Sequence, residues 1–165
     1  MKALGPVQEV IGYSKKTFEK RNVENPEVDY REINVDIDTH YFGLLKFKSG
    51  IIIDFQVTFD IWKPYDPKLE IYGDESSLKL ADPNNYDGEI FIFDKELYQW
   101  ELIYSSPDSQ NNFYRGLGVV NMVEAIKNNT VSEDELSVPF HILEVMCSLD
   151  SYNLDSGWKK IIQQF

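Results

Sequence analysis

The densest group of side chains able to recognise a small molecule is the loop Asp60-Ile61-Trp62-Lys63-Pro64-Tyr65-Asp66-Pro67. The Trp62 and Tyr65 rings offer flat apolar faces that stack on the CH groups of a sugar, while the Lys63 ammonium and the Tyr65 hydroxyl make hydrogen bonds. Such a loop suits a polyhydroxylated ligand. The same residues also read as a proline-stiffened connection whose Trp62 covers a sheet edge or meets a partner.

Other constellations carry less chemistry. Asp36, Asp38 and His40 alternate along one segment and would share a strand face, a geometry open to a metal or to a plain solvated surface. No second cluster of His or Cys supplies the remaining ligands. Gly116-Leu117-Gly118 resembles two thirds of a dinucleotide fingerprint, but Asn121 stands where the third glycine belongs and residues 111–115 do not read as a buried strand. There is no Gly-x-Ser-x-Gly elbow and there are only two histidines, which argues against a hydrolase. His141, preceded by Pro139-Phe140, reads most simply as a helix-terminal histidine bonded to backbone or water.

Bulk charge narrows the partners. Sixteen basic against 28 acidic residues give a net charge of −12, which repels nucleic-acid phosphates and anionic lipid. The expectation is no nucleic acid and no membrane partner. Lys15, Lys16, Glu19 and Lys20 leave no apolar run for a signal peptide, and no later segment is long enough to span a bilayer. The single cysteine, Cys147, lies among Val145, Met146 and Leu149 and reads as a small buried hydrophobe. These features together point to a reducing, cytoplasmic setting. Asn128-Asn129-Thr130 matches a glycosylation sequon and is incidental in such a setting.

The elements that must position these groups fall in two blocks. From Val7 to about Ile103, short runs of Val, Ile, Phe and Tyr are separated by Gly, Pro, Asn and Asp, a β texture. The clearest strand sets Ile51, Ile53, Phe55, Val57 and Phe59 on an expected buried face and Ile52, Asp54, Gln56, Thr58 and Asp60 on a polar one. Lys48-Ser49-Gly50 joins it to the preceding run in a tight hairpin. Further strands are expected over 7–14, 33–41, 68–72, 77–80, 89–93 and 97–103, with a linker-like stretch at 22–29. Beyond Gln110, Val119, Met122, Val123 and Ile126, then Ile142, Val145, Met146 and Leu149, recur at helical spacing. The second helix has a possible capping box at Ser132 and Glu135, but Pro139 would then lie inside it, so a start near Ser137 is the alternative. At 165 residues the chain reads as one domain spanning 1–165. The class is α+β, an open, mostly antiparallel sheet of six or more strands with helices following it.

Taken in order, the segments resemble the C-terminal domain of the glucose-fructose oxidoreductase, inositol dehydrogenase and rhizopine-catabolism (Gfo/Idh/MocA) family. Leu4-Gly5-Pro6-Val7-Gln8-Glu9-Val10 looks like the family's entrance to its first C-terminal strand, and Phe47-Lys48-Ser49-Gly50 like its hairpin. Leu69 to Leu78 resembles a strand-turn-strand in which Ser76 replaces the usual second glycine. Arg115-Gly116-Leu117-Gly118 with Met122, Ala125 and Ile126 looks like its penultimate helix, and His141 to Met146 through Ser151 and Gly157 like its last.

The resemblance implies a parent about twice this size that oxidises a sugar, polyol or related hydroxy compound with NAD or NADP. The nucleotide fingerprint, the Glu-Lys-Pro segment and the acid/base Asp and His would all lie upstream of Leu4, in a missing N-terminal Rossmann domain. No catalytic residue and no cofactor-binding residue is therefore expected in this chain. What it would supply is a pocket wall for a small-molecule substrate and a homo-oligomer interface through the open sheet. Arg115 and His141 match positions where a subset of the family places substrate-pocket residues, although that subset carries arginines where 128–134 is acidic here. They join Trp62, Lys63 and Tyr65 as candidate substrate-binding residues. The alternative is a standalone non-catalytic α+β protein that binds a ligand or associates through its sheet.

Overall fold

The computed structural model describes residues 4–22, 27, 32–62, 69–83, 87–106, 116–130, 134–149 and 157–163, apart from the side chains of Leu117, Asp134 and Glu135. The chain divides into two compact units, Met1–Trp62 with Val131–Phe165, and Lys63–Thr130.

In the first unit, β1 (Val7–Lys15), β4 (His40–Phe47), β5 (Ile52–Thr58) and β10 (Lys159–Lys160) form an antiparallel sheet in the order β10-β1-β4-β5. A two-residue-rise pleat sends alternate side chains to opposite faces. Val10, Leu45 and Ile53 thus line up on one face, and Ile11, Leu44 and Asp54 on the other. The first face packs against α2 (Asp134–Leu149), where Val7, Val10, Phe47, Val145, Leu149 and Ile161 make the buried core. Gly12 lets the helix approach, since a Cβ there would lie 3.0 Å from Leu149 Cδ2. The hairpin between β4 and β5 turns at Lys48-Ser49-Gly50 as expected. Gly50 has φ +89°, a value that a glycine adopts without strain, and its N–H bonds to Phe47 O at 3.0 Å.

Two short strands, β2 (Lys20–Asn22) and β3 (Glu32–Asn34), pair with each other outside this sheet. The run expected as one strand over 33–41 is therefore interrupted. Val35 turns inward to burial, and the Ser14 hydroxyl donates to Asp38 at 2.5 Å, before β4 begins at His40.

Helix α2 begins at Asp134, upstream of Ser137, and contains Pro139. Proline removes one backbone donor, a cost offset here by burial of Val138 and His141 on either side of it. Ser132 lies outside the described residues.

In the second unit, β6 (Leu69–Tyr72), β7 (Ser77–Leu80), β8 (Glu89–Asp94) and β9 (Gln99–Ser105) form an antiparallel meander, followed by α1 (Leu117–Lys127). Edge-on contacts of Phe93 with Tyr98 and Trp100 anchor the β8–β9 turn. Ser76 donates its hydroxyl to Phe93 O at 2.6 Å, tying the β6–β7 turn to β8. The α+β, mostly antiparallel class is as expected, with ten described strands distributed over three sheets. Among the described residues, no helix is long and apolar enough to cross a membrane.

Candidate functional site

The base of the Trp62 loop is built by polar residues from three separate segments. Asp60 follows β5, and its side chain is only 5% exposed. Its carboxylate accepts from Arg21 Nη2 at 2.6 Å and from Thr39 Oγ1 at 2.9 Å. Arg21 Nη2 also donates to the Phe59 carbonyl, and the guanidinium lies 5.7 Å from the Phe18 ring centre. Backbone bonds from Val35 N to Glu19 O, Thr39 N to Lys15 O and Phe59 N to Thr39 O bind the same segments together. Burial alone would raise the Asp60 pKa. Hydrogen bonds from Thr17, Thr39 and Arg21, with the Arg21 charge, outweigh that and hold the carboxyl below the ordinary aspartate value. The loop therefore leaves the sheet from a fixed, ionised anchor.

The sequence marks Asp60 only as the first residue of the loop and gives Arg21 no role. Alternation put Asp60 on a polar face, and its partner lies 39 residues away. A lone Arg in a polar stretch gave no signal for that pairing.

Of the expected substrate-binding residues, Trp62 projects fully into solvent. Lys63, Tyr65 and Arg115 lie outside the described residues. His141 is completely buried within α2, in its interior turns rather than at a terminus. Its Nε2 accepts the Val7 N–H at 3.0 Å, and Nδ1 lies 2.5 Å from Gln163 O, so the ring carries its proton on Nδ1 and links β1 to the C-terminal segment.

Trp62 and His141 are not brought together. Val7 lies at one end of β1, while Lys15 at the other end pairs with His40, which pairs with Thr58. Eight residues of strand span about 26 Å, and the four residues from Thr58 to Trp62 cover about 14 Å at most.

Asp36, Asp38 and His40 do not converge, and no cluster of three potential metal ligands occurs among the described residues. The His40 ring instead meets Thr58 Oγ1 at 3.1 Å and Gln56 Nε2 at 3.4 Å. Gly116 and Gly118 open α1 with nothing within 4 Å of where a Cβ would stand, so no close backbone approach demands glycine there. Asn121 stands where the third glycine of a dinucleotide fingerprint would be. Cys147 is exposed, contrary to the expected burial. Two helical residues turn through about 200°, so Cys147 faces away from its buried neighbours Val145 and Leu149.

The sheet face away from α2 is open and largely apolar. Ile11, Phe42, Gly43 and Leu44 floor a shallow depression of about 540 Å³ rimmed by His40, Asp54 and Gln56. Tyr13 packs on Phe42 at 5.5 Å between ring centres, and Phe42, Leu44 and Ile52 are exposed. The buried face of β5 is narrower than its alternation suggests, because Val57 and Phe59 also lie exposed.

Searches of protein families and of curated proteins found no match. Solved structures do match in fold. An oxidoreductase domain protein from Kribbella flavida superposes with TM-score 0.67 at 18% identity, over 94% of this chain and 46% of that one. Levoglucosan dehydrogenase in complex with NADH and L-sorbose superposes with TM-score 0.71 at 12% identity, over 96% and 46%. The same enzyme with NADH alone gives TM-score 0.70 over 96% and 45%. The resemblance to an oxidoreductase C-terminal domain is thus borne out as a likeness of fold, and this chain spans less than half the length of those structures.

Proposed function

We propose that this chain is the substrate-side and oligomerisation domain of a longer NAD(P)-dependent oxidoreductase acting on a sugar, polyol or related hydroxy compound. One observation carries the reading: 96% of the chain takes the fold of 46% of a dehydrogenase solved with NADH and a sugar. The cofactor belongs to an upstream Rossmann domain, which supplies hydride acceptance and the proton acceptor.

Within this chain, Trp62 stands two residues beyond the Asp60 anchor, and its exposed indole together with Lys63 and Tyr65 suits stacking and hydrogen bonding to a polyol. Arg115 supplies a further polar contact to substrate. His141 shapes the wall by fixing the start of β1, since both its ring nitrogens are engaged with backbone. The open apolar sheet face takes a second copy, as exposed patches of this kind favour association.

The test is to express the protein together with its upstream coding sequence and assay NAD+ and NADP+ reduction over a panel of sugars and polyols. Turnover that weakens at least about tenfold in kcat/KM on Trp62→Ala supports the reading, a loss of the size expected for an aromatic contact. A longer protein that turns over none of the panel and binds no nicotinamide ends it.

A further inference from the structure

Histidine is the side chain whose ordinary titration falls nearest neutral pH. His141 is completely buried in the first unit, and both its ring nitrogens engage backbone groups from opposite ends of the chain. Nε2 accepts the Val7 N–H at 3.0 Å and so carries no proton, while Nδ1 donates to Gln163 O at 2.5 Å. A second proton can enter only at Nε2, where it would point at the Val7 N–H, donor against donor. The neutral ring fits this pair of bonds and the imidazolium breaks one of them.

The charged and titratable groups on the elements around the ring have engagements of their own. Glu144, one helical turn further along α2, accepts the Ile162 and Gln163 N–H groups with its two carboxylate oxygens. Cys147 on the same helix is exposed. On β1, Glu9 pairs with Lys46 at 3.1 Å and Tyr13 packs on Phe42, both on the sheet face away from α2, and Lys15 lies at the far end of the strand. Lys48 of the adjoining hairpin and Lys159 and Lys160 of β10 are exposed.

The joint that His141 closes lies where the strand ladder gives out. Pairing of β1 with β4 shifts register between Val7 and Glu9, so Val7 stands beyond an irregularity. β10 is only two residues long, pairs with Glu9 and Val10, and ends before Gln163.

We propose that His141 is an acid-sensitive latch, which as a neutral ring ties the start of β1 to the C-terminal segment and on protonation lets them part while the rest of the sheet stays paired. The latch is independent of the oxidoreductase reading. Once the joint opens, the ring meets water, where histidine takes up its proton at about pH 6.5. The latch therefore holds fully above that pH and weakens as pH falls through it. For a closed joint that takes no proton, the open population rises about tenfold between about pH 7.5 and 5.5. Asp60, held below the ordinary aspartate value, stays ionised over that range.

Amide hydrogen exchange followed by NMR tests this, each rate being divided by the intrinsic rate at the same pH. Protection of the Val7 N–H should fall about tenfold over that range, while the Thr39 and Phe59 N–H groups, bonded at the far end of the same sheet, hold within about twofold. His40→Gln removes the other imidazole of the chain and should keep the Val7 fall. His141→Gln offers Val7 an acceptor that takes no proton, and its Val7 protection should be flat with pH. Flat Val7 protection in the wild type, a fall shared equally by Thr39 and Phe59, or a fall that disappears in His40→Gln overturns the latch, and these three readings stand whether or not His141→Gln folds. A fall that persists in a folded His141→Gln overturns it as well.

Discussion

Replacing Asp60 by Asn keeps the shape of the anchor and removes its charge. The carboxylate is 5% exposed and bonds Arg21 at 2.6 Å and Thr39 at 2.9 Å. Breaking a fully buried ion pair costs about 3–5 kcal/mol, and an exposed pair is worth about 0–1 kcal/mol. Because the Arg21 side chain is 32% exposed, water can re-solvate part of it. The loss at neutral pH should therefore fall between those limits, about 2 kcal/mol. Urea unfolding followed by circular dichroism reads this, with the midpoint and slope compared between the two proteins.

The pH dependence follows in sign from the lowered Asp60 pKa. A carboxylate with a depressed folded pKa stabilises fully above its unfolded value, about 3.9, and its contribution is lost as pH falls through the folded value. The gap between wild type and Asp60→Asn should thus be flat from pH 7 to about 5 and close below about pH 4. Glu32→Gln, at the exposed Lys20–Glu32 pair, serves as the control and should change stability by less than about 0.5 kcal/mol. An Asp60→Asn effect no larger than the control, or a gap that widens in acid, would refute the anchor.

Gly43→Ala should destabilise strongly, by more than about 2 kcal/mol, because the new Cβ would lie 2.2 Å from Ile11 O in the paired strand; thermal unfolding checks it. His141→Phe removes the acceptor of the Val7 N–H and the donor to the Gln163 carbonyl and should cost about 2–4 kcal/mol in the same measurement. Trp62→Ala removes a fully exposed ring and should leave stability within about 0.5 kcal/mol of wild type, with any loss confined to ligand affinity. Phe42→Glu on the open sheet face should lower self-association, read by sedimentation equilibrium, without changing the unfolding midpoint by more than about 0.5 kcal/mol.

The parts of the fold legible in the sequence are those governed by local rules. The β4–β5 hairpin follows from alternation flanking Lys48-Ser49-Gly50, and the strand over Ser77–Leu80 from its bounding turn residues. Both helices follow from apolar recurrence, although the start of α2 at Asp134 depends on tertiary burial outweighing Pro139. What local rules miss is long-range. The β2–β3 pair carries polar Lys20-Arg21-Asn22 with no alternation to mark it. The Asp60 anchor joins residues 39 apart, and His141 ties to a backbone amide 134 positions away. Cys147 shows the converse error, where sequence neighbours are not spatial neighbours on a helix. The Trp62 loop is visible by composition with Asp60 at its head, but nothing in its sequence discloses the Arg21 pairing that anchors it.

The most direct test of the proposed oxidoreductase role is NADH binding by the protein expressed with its upstream coding sequence, followed by nicotinamide fluorescence beside the 165-residue chain. The prediction is saturable binding by the longer protein that a polyol substrate perturbs, and none by the short chain. Binding of NADH by the short chain, or by neither, would contradict it.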